Sequence, residues 1–231
     1  MATIKAKRFR WKETFEQLYF IGNGSLVIIV FCVCFAAMVT IVESSFHMKL
    51  VIQNDSMVPG FAAMLILREL AAVVAALLLT SRVGAGIAAE VGTMKVTEQI
   101  DALKMLGIYP VNYLVIPRLV ACILGAMFLT IVANMTCLFS AMAVSSSYLG
   151  YTPAMFISGM KRFVQFKDLI FAIIKAACFG AVIPLISCYF GFRCESGAEG
   201  VGKATTNSVV VGSIAIIVID FLLSYAFSYL Y

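Results

Sequence analysis

The sequence contains few of the residue types that build catalytic and metal sites. Its 231 residues include one histidine, His47, and none of its seven cysteines belongs to a Cys-x-x-Cys pair. Metal ligands usually come as closely spaced cysteines and histidines, and an enzyme site needs acids, bases or nucleophiles that converge. We therefore expect no metal site, no disulfide framework and no catalytic site.

Charged residues are also scarce, at 13% of the chain against 62% hydrophobic residues, and the mean hydropathy is +1.01. Such a chain has too little polar surface for a soluble globule. A bilayer core needs about 20 residues of helix, and five apolar segments are near that length: Leu26–Val42, Val58–Thr80, Leu119–Val144, Leu169–Phe190 and Val209–Tyr231. Because lipid offers no partner for backbone polar groups, each segment should be helical. The sequence predicts an all-α membrane protein with five transmembrane helices.

Basic residues are concentrated before the first apolar segment, at Lys5, Lys7, Arg8, Arg10 and Lys12. Cytoplasmic segments carry the excess of lysine and arginine, so the N-terminus is predicted in the cytoplasm and the C-terminus, after five spans, on the outer side of the membrane. The first apolar segment is too long for a cleavable signal peptide, so none is expected. The net charge of +5 fits contact with anionic lipid and needs no nucleic-acid partner.

Residues 1–25 are predicted as a region of their own, ahead of a transmembrane domain at 26–231. Apolar residues recur there at helical spacing, with charged residues between them: Trp11, Phe15, Leu18 and Tyr19. This pattern is typical of a helix that lies in the headgroup layer. The alternative is that this region is only a basic segment that anchors the chain at the membrane surface.

Two glycine motifs approach nucleotide-binding patterns. Residues 197–204 nearly match G-x-x-x-x-G-K-[ST], but Ala204 stands where the Mg²⁺-binding hydroxyl is required. Residues 84–89 resemble a dinucleotide fingerprint, yet they continue an apolar helix. We predict that neither binds a nucleotide and that this chain does not hydrolyse ATP by itself.

A short amphipathic helix is predicted between the second and third spans, at Val96–Leu106. Thr97 can cap its start, and Gly107 followed by Pro110 can end it. A helix at the membrane surface can be a docking element for another protein. It can equally pack only on its own chain, and the periodicity does not decide between the two.

Four charged residues interrupt the apolar spans: Arg68, Glu69, Lys175 and Asp220. Charges at this depth are costly and usually face a partner, the bundle interior or a wet cavity. Counted from the outer span ends, Arg68 lies about 15 Å deep, Asp220 about 16 Å and Lys175 about 9 Å, so all four can meet in one layer. Asp220 can pair with Arg68 or with Lys175. We expect Lys175 and Asp220 to fix helix packing, and Arg68 and Glu69 to line a polar cavity or gate.

Several longer motifs follow one another along the chain: Leu67-Arg68-Glu69-Leu70, Ser81-Arg82-Val83-Gly84-Ala85, Ala89-Glu90-Val91-Gly92-Thr93-Met94, Thr97-Glu98-Gln99-Ile100-Asp101-Ala102-Leu103, Gly200-Val201-Gly202-Lys203-Ala204-Thr205-Thr206 and Asp220-Phe221. With these motifs the sequence resembles the MlaE/YrbE permeases, the membrane subunits of Mce-linked ABC lipid transporters. The resemblance extends from about Leu26 to the end.

The resemblance implies a homodimer in a Gram-negative inner membrane, with the C-terminus in the periplasm. This dimer would move phospholipid between the membrane and an Mce-domain lipid-binding protein. A separate ABC ATPase subunit would drive the transport, and no cofactor is implied. A coupling helix at about residues 94–107 would contact this ATPase through Thr97, Glu98, Gln99, Asp101, Ala102 and Leu103. The lipid cavity or gate would include Arg68, Glu69 and Leu70.

A stand-alone channel or secondary transporter is the alternative function, because it too would bury charges. Such proteins usually show internal repeats or broken helices, and none is visible in the sequence. Ala71 and Ala72 stand where many members of the family have Gly-Pro. In those members the Gly-Pro pair is expected to kink the second span, and this chain lacks that pair.

Overall fold

The computed structural model describes residues 11–51 and 57–230, and this part of the chain is helical without a strand. Nine α-helices follow in order within it: α1 Trp11–Val51, α2 Val58–Leu65, α3 Ala71–Leu79, α4 Ala85–Val96, α5 Gln99–Met105, α6 Ile116–Ser147, α7 Pro153–Phe163, α8 Phe166–Phe192 and α9 Gly197–Leu230. Three π-helical turns join or precede them, at Ile66–Leu70, Thr80–Gly84 and Val111–Val115. Helices α2, α3 and α4 thus form one continuous helical rod.

Five helical segments are long and apolar enough to cross a membrane: Trp11–Met48, Val58–Val96, Val111–Ser147, Phe166–Phe192 and Gly197–Tyr229. The prediction of an all-α membrane protein with five spans is confirmed. The segments are longer than the apolar runs of the sequence. A 39-residue rod such as Val58–Val96 is about 58 Å long, against about 30 Å of bilayer hydrocarbon. Its far end therefore extends beyond the membrane core and carries α5.

The N-terminal region is helical from Trp11 and runs without a break into the first span. Trp11, Phe15 and Tyr19 are largely exposed along this part of α1. The basic residues Lys5, Lys7, Arg8 and Arg10 lie outside the described residues, so the structure adds nothing on them.

Close packing between the spans depends on small residues, as is common in membrane helix bundles. A Cβ at Gly180 of α8 would lie 2.7 Å from the carbonyl oxygen of Cys122 in α6, and one at Gly191 would lie 2.7 Å from Val91 in α4. Helix α9 is different, because only 11% of its most apolar stretch is buried. Most of α9 therefore faces outward from this single chain.

Helix α7 was not expected from the sequence. Thr152 caps its start by accepting a hydrogen bond from the Met155 amide at 3.3 Å. It packs on α2 through Gly60 and Gly159, so closely that a Cβ at Gly60 would lie 2.5 Å from the Gly159 carbonyl oxygen. We call this end of the bundle the α7 end and the opposite end the α5 end.

Candidate functional site

The π-helical turn at Ile66–Leu70 carries the charged pair of the second span. A π turn inserts one extra residue into a helix and often lies at a functional site, because it redirects the side chains next to it. Here Arg68 and Glu69 reach different partners on neighbouring helices. Leu70, the third residue assigned to the cavity by resemblance, packs partly buried against the hydrophobic core.

Lys175 of α8 is the centre of the site. Its side chain is fully buried, and its ammonium nitrogen lies 2.6 Å from Glu69 Oε2 and 2.7 Å from Asp220 Oδ1. The same nitrogen donates to Ser224 Oγ at 2.8 Å and approaches the Arg68 carbonyl oxygen at 3.3 Å. Ser224 in turn donates to Glu69 Oε1 at 3.1 Å. One buried ammonium therefore joins the second, fourth and fifth spans.

Arg68 belongs to a second ion pair on the side of the α7 end. Its Nε atom lies 2.7 Å from Oδ1 of Asp168, whose side chain is fully buried. The other Asp168 oxygen accepts a hydrogen bond from the Gln165 amide at 2.8 Å, which completes a capping box at the start of α8. The Arg68 guanidinium also lies 5.1 Å from the ring centre of Phe227, close enough for a cation–π contact.

Together these side chains form a polar layer, which we define as Arg68, Glu69, Asp168, Lys175, Asp220 and Ser224. Burying single charges in a bilayer costs several kcal/mol unless they are paired, so the pairing stabilises the bundle. The layer is not sealed, because Glu69 is 43% exposed, Arg68 23% and Asp220 20%. Its open groups lie beside the exposed face of α9.

The structure resolves the alternatives that the sequence left open for Asp220. Asp220 contacts Lys175, and Arg68 contacts Asp168 instead. The sequence interpretation separated a packing pair, Lys175 and Asp220, from a cavity pair, Arg68 and Glu69. In the structure Glu69 and Asp220 share the same ammonium, so the two pairs form one network.

Helix α5 lies at the opposite end of the rod. Glu98 precedes it in the left-handed region, with φ of 59°, and is the one residue other than glycine with positive φ in the described part. The expectation that Thr97 caps α5 is wrong. Thr97 Oγ1 instead donates to the Thr93 carbonyl oxygen at 2.8 Å and so closes α4, while Glu98 occupies the cap position without a side-chain hydrogen bond.

The end of α5 follows the sequence expectation. Gly107 has φ of 73°, and its amide donates to the Lys104 carbonyl oxygen at 2.9 Å. The Ile108 amide donates to the Leu103 carbonyl oxygen at 3.0 Å. These two bonds form a Schellman motif, which suits glycine because its position is left-handed.

Helix α5 is held on its own chain by Ile100, which is buried, and by Leu103, which is half-buried. The other residues assigned to the coupling surface are exposed: Thr97, Glu98, Gln99, Asp101 and Ala102. The Lys104 ammonium, 2.7 Å from Asp101, lowers the pKa of the Asp101 carboxyl below its usual value. Asp101 is therefore ionised at neutral pH.

The exposed surface at the α5 end is larger than the sequence analysis recognised. Met105, Leu106 and Tyr109 are exposed at 89%, 71% and 76%. Apolar side chains in such a position usually contact a partner or lipid. The sequence signal was present, since Met105 and Leu106 end the predicted helix Val96–Leu106 and Tyr109 follows it three residues later.

An ion pair connects the α5 end of the rod to the third span. Arg118 of α6 is almost fully buried, and its Nη2 atom lies 2.7 Å from Glu90 Oε1 in α4. Arg118 also donates to the Leu114 carbonyl oxygen at 3.3 Å. This ion pair therefore joins α4 to α6 near the α5 end.

The near P-loop at residues 197–204 lies in the first turns of α9, and no strand precedes it. The glycine motif at residues 84–89 continues the helical rod. Neither has the strand–loop–helix geometry that cradles a phosphate.

Comparison with known proteins agrees with this geometry. A family model described as Permease MlaE matches residues 14–226. A probable ABC transporter permease protein of Synechocystis is 34% identical over 218 residues, covering 94% of this chain and 82% of the relative. One from Rickettsia typhi is 35% identical over 209 residues, covering 90% and 80%. The chloroplast protein TRIGALACTOSYLDIACYLGLYCEROL 1 of Arabidopsis thaliana is 33% identical over 217 residues, covering 94% and 62%.

Proposed function

Because the chain belongs to the MlaE permease family, whose relatives are named ABC transporter permeases, we propose that it is the membrane subunit of an ABC transporter that moves phospholipid. In this proposal two copies form the path and a separate ATPase subunit hydrolyses ATP. An Mce-domain protein exchanges lipid with the α7 end, in the periplasm. The N-terminus and α5 lie on the cytoplasmic side of the inner membrane.

The observation that carries the proposal is the partly open polar layer beside an uncovered helix. Glu69, Arg68 and Asp220 are each partly exposed, and a layer that served packing alone would be closed. A lipid has a polar headgroup on apolar chains, so its path needs polar groups inside an apolar surface. The layer and the apolar face of α9 supply both.

The exposed face of α9 supports a homodimer. It presents a continuous row of large apolar side chains: Val210, Ile214, Ile217, Val218, Phe221, Leu222, Tyr225 and Tyr229. Without a partner, this face and the polar layer would open directly to the surrounding lipid. A second copy placed against α9 would enclose a cavity lined by two polar layers.

The α5 end supports the coupling to an ATPase. It combines exposed polar residues with the exposed apolar side chains of Met105, Leu106 and Tyr109, the mixture found in protein interfaces. The backbone of Glu98 is held in a sparsely populated conformation, and such positions often occur at functional sites. Closure of the ATPase would move α5 and α4, and the Glu90–Arg118 pair would carry the motion to α6.

A lipid cargo is also supported by the name of the Arabidopsis relative, which contains that of a galactolipid, trigalactosyldiacylglycerol. The direct test is purification of the tagged chain in mild detergent, followed by mass spectrometry of the bound proteins and lipids. We expect an ATPase, an Mce-domain protein and bound phospholipid. A chain that purifies intact without an ATPase or lipid would contradict the proposal and favour a self-contained channel.

A further inference from the structure

The polar layer contains more negative than positive charge. Its two cations are Arg68 and Lys175, and its three carboxylates are Glu69, Asp168 and Asp220. Two cations against three carboxylates leave one excess negative charge. Lys167 precedes Asp168 in the first turn of α8, but its side chain is exposed whereas that of Asp168 is fully buried, so Lys167 is not counted in the layer.

The cations of the layer are already engaged. An ammonium has three N–H donors, and Lys175 has four oxygens within reach, on Glu69, Asp220, Ser224 and the Arg68 backbone. Arg68 is paired with Asp168 at 2.7 Å. A molecule that enters the layer therefore meets a surplus of acceptors and no unused donor on Lys175.

The open acceptors belong to Glu69 and Asp220. Glu69 is 43% exposed although both of its oxygens accept a hydrogen bond, and each carboxylate oxygen can accept a second one. Asp220 is 20% exposed. Its Oδ1 atom lies 2.7 Å from the Lys175 ammonium but accepts no hydrogen bond from residues 11–51 and 57–230. The excess negative charge is thus located where a ligand can reach it.

We propose that this excess charge selects the cargo headgroup, and that the layer binds lipids whose headgroup carries a primary ammonium. The inference rests on the proposed lipid path and adds a substrate class to it. An isolated charge in an apolar layer is unfavourable, and an ammonium would form an ion pair with it while donating hydrogen bonds to Glu69 and Asp220. A trimethylammonium headgroup has no N–H to donate. An anionic headgroup would add a second negative charge, which opposes binding.

A bound proton on Glu69 or Asp220 would also neutralise the layer. In that case the headgroup would not matter, since no charge would remain to be compensated. Neutralisation by a headgroup ammonium therefore predicts a preference among lipids, whereas neutralisation by a proton predicts none.

The test compares lipids bound to the full chain, purified with its partner subunits. The complex is placed in nanodiscs with equal amounts of phosphatidylethanolamine, phosphatidylcholine and phosphatidylglycerol, then extracted for native mass spectrometry at pH 7. We expect bound phosphatidylethanolamine to exceed bound phosphatidylglycerol at least about fivefold, equivalent to about 1 kcal/mol. Phosphatidylcholine should lie between them.

Substitutions that remove one negative charge should remove the preference. In Asp220→Asn and in Glu69→Gln the ratio of bound phosphatidylethanolamine to bound phosphatidylglycerol should approach one, because each change leaves two cations and two carboxylates in the layer. The matched control is Glu199→Gln, an exposed carboxylate of the same helix α9 outside the layer, which should keep the wild-type ratio. If Asp220→Asn does not fold, Glu69→Gln alone tests whether the excess negative charge sets the lipid preference.

A wild-type ratio near one, as a bound proton would produce, overturns the inference and leaves the proposed lipid path intact. An unchanged preference in both folded variants overturns it equally. A complex that binds no phospholipid at all would contradict the proposed function itself, and the headgroup inference with it.

Discussion

The ammonium of Lys175 lies 2.6 Å from the Glu69 carboxylate, and the lysine side chain is fully buried while that of Glu69 is 43% exposed. One ion pair therefore joins the packed interior of the bundle to its open surface. Changes to the buried partner should act mainly on folding, and changes to the open partner mainly on what the protein binds.

Lys175→Met should destabilise the protein strongly. The substitution leaves Glu69 and Asp220 in an apolar layer without their cation, and breaking a buried ion network from one side costs about 3–5 kcal/mol. Thermal unfolding in detergent should show a clear fall in melting temperature. Adding Glu69→Gln and Asp220→Asn to Lys175→Met should recover much of the loss, and a wild-type melting temperature for Lys175→Met alone would contradict this assignment.

Asp168→Ala should destabilise the α7 end. The carboxylate accepts a hydrogen bond from the Gln165 backbone amide and pairs with Arg68. Its loss therefore removes a helix cap, worth about 1 kcal/mol, and the carboxylate partner of the Arg68 guanidinium. Folded yield and melting temperature should both fall. Lys161→Ala, on the exposed surface of α7, is the control and should behave as wild type.

Glu98→Arg should prevent association with the ATPase, or transport, while the chain still inserts and folds. The side chain is exposed, so the reversal of charge acts on the partner surface. Glu98→Gly separates charge from backbone, because glycine adopts the positive φ of this position without strain. We expect Glu98→Gly to retain the fold and to weaken association less than Glu98→Arg, as measured by co-purification of the ATPase. Normal complex formation and transport by Glu98→Arg would rule out docking through α5.

A photo-crosslinking amino acid at Ile217 on the open face of α9 should produce a covalent dimer in membranes. Ile217 is 59% exposed in the single chain, and the proposed second copy would cover it. The same probe at Phe139 of α6, which is 62% exposed on another face, is the control and should give little dimer. Dimer formed equally from both positions would place the interface elsewhere.

The spans and the main ionic contact were within reach of sequence reasoning, because both depend on simple regularities. Apolar runs define the spans, and a rise of about 1.5 Å per residue places Lys175 and Asp220 at compatible depths. Asp168 was missed since it lies at the very start of α8, where a carboxylate is an ordinary capping residue. Its buried contact with Arg68, 100 residues away in sequence, has no local signal.

Backbone details were not predictable from the residue pattern. The π turn at Ile66–Leu70 directly precedes Ala71, so the helix is irregular there even though the Gly-Pro of many relatives is absent. Helix α7 was missed because its 11 residues are too few to span a membrane and include Lys161 and Arg162. Thr97 was assigned as a cap because threonine commonly caps helices. In the structure, the left-handed backbone of Glu98 forms a tight turn between α4 and α5, so Thr97 lies at the end of α4 and Glu98 takes the cap position of α5.

The most direct test of the central claim is phospholipid transfer by the reconstituted complex. Proteoliposomes that contain this chain with its ATPase and Mce-domain partners are mixed with acceptor vesicles, and labelled phospholipid is followed with and without ATP. The account predicts that the transfer depends on ATP and is lost in the complex with Glu98→Arg. If the assembled complex hydrolyses ATP but lipid moves at the same rate without it, the account of this chain as a driven lipid path is contradicted.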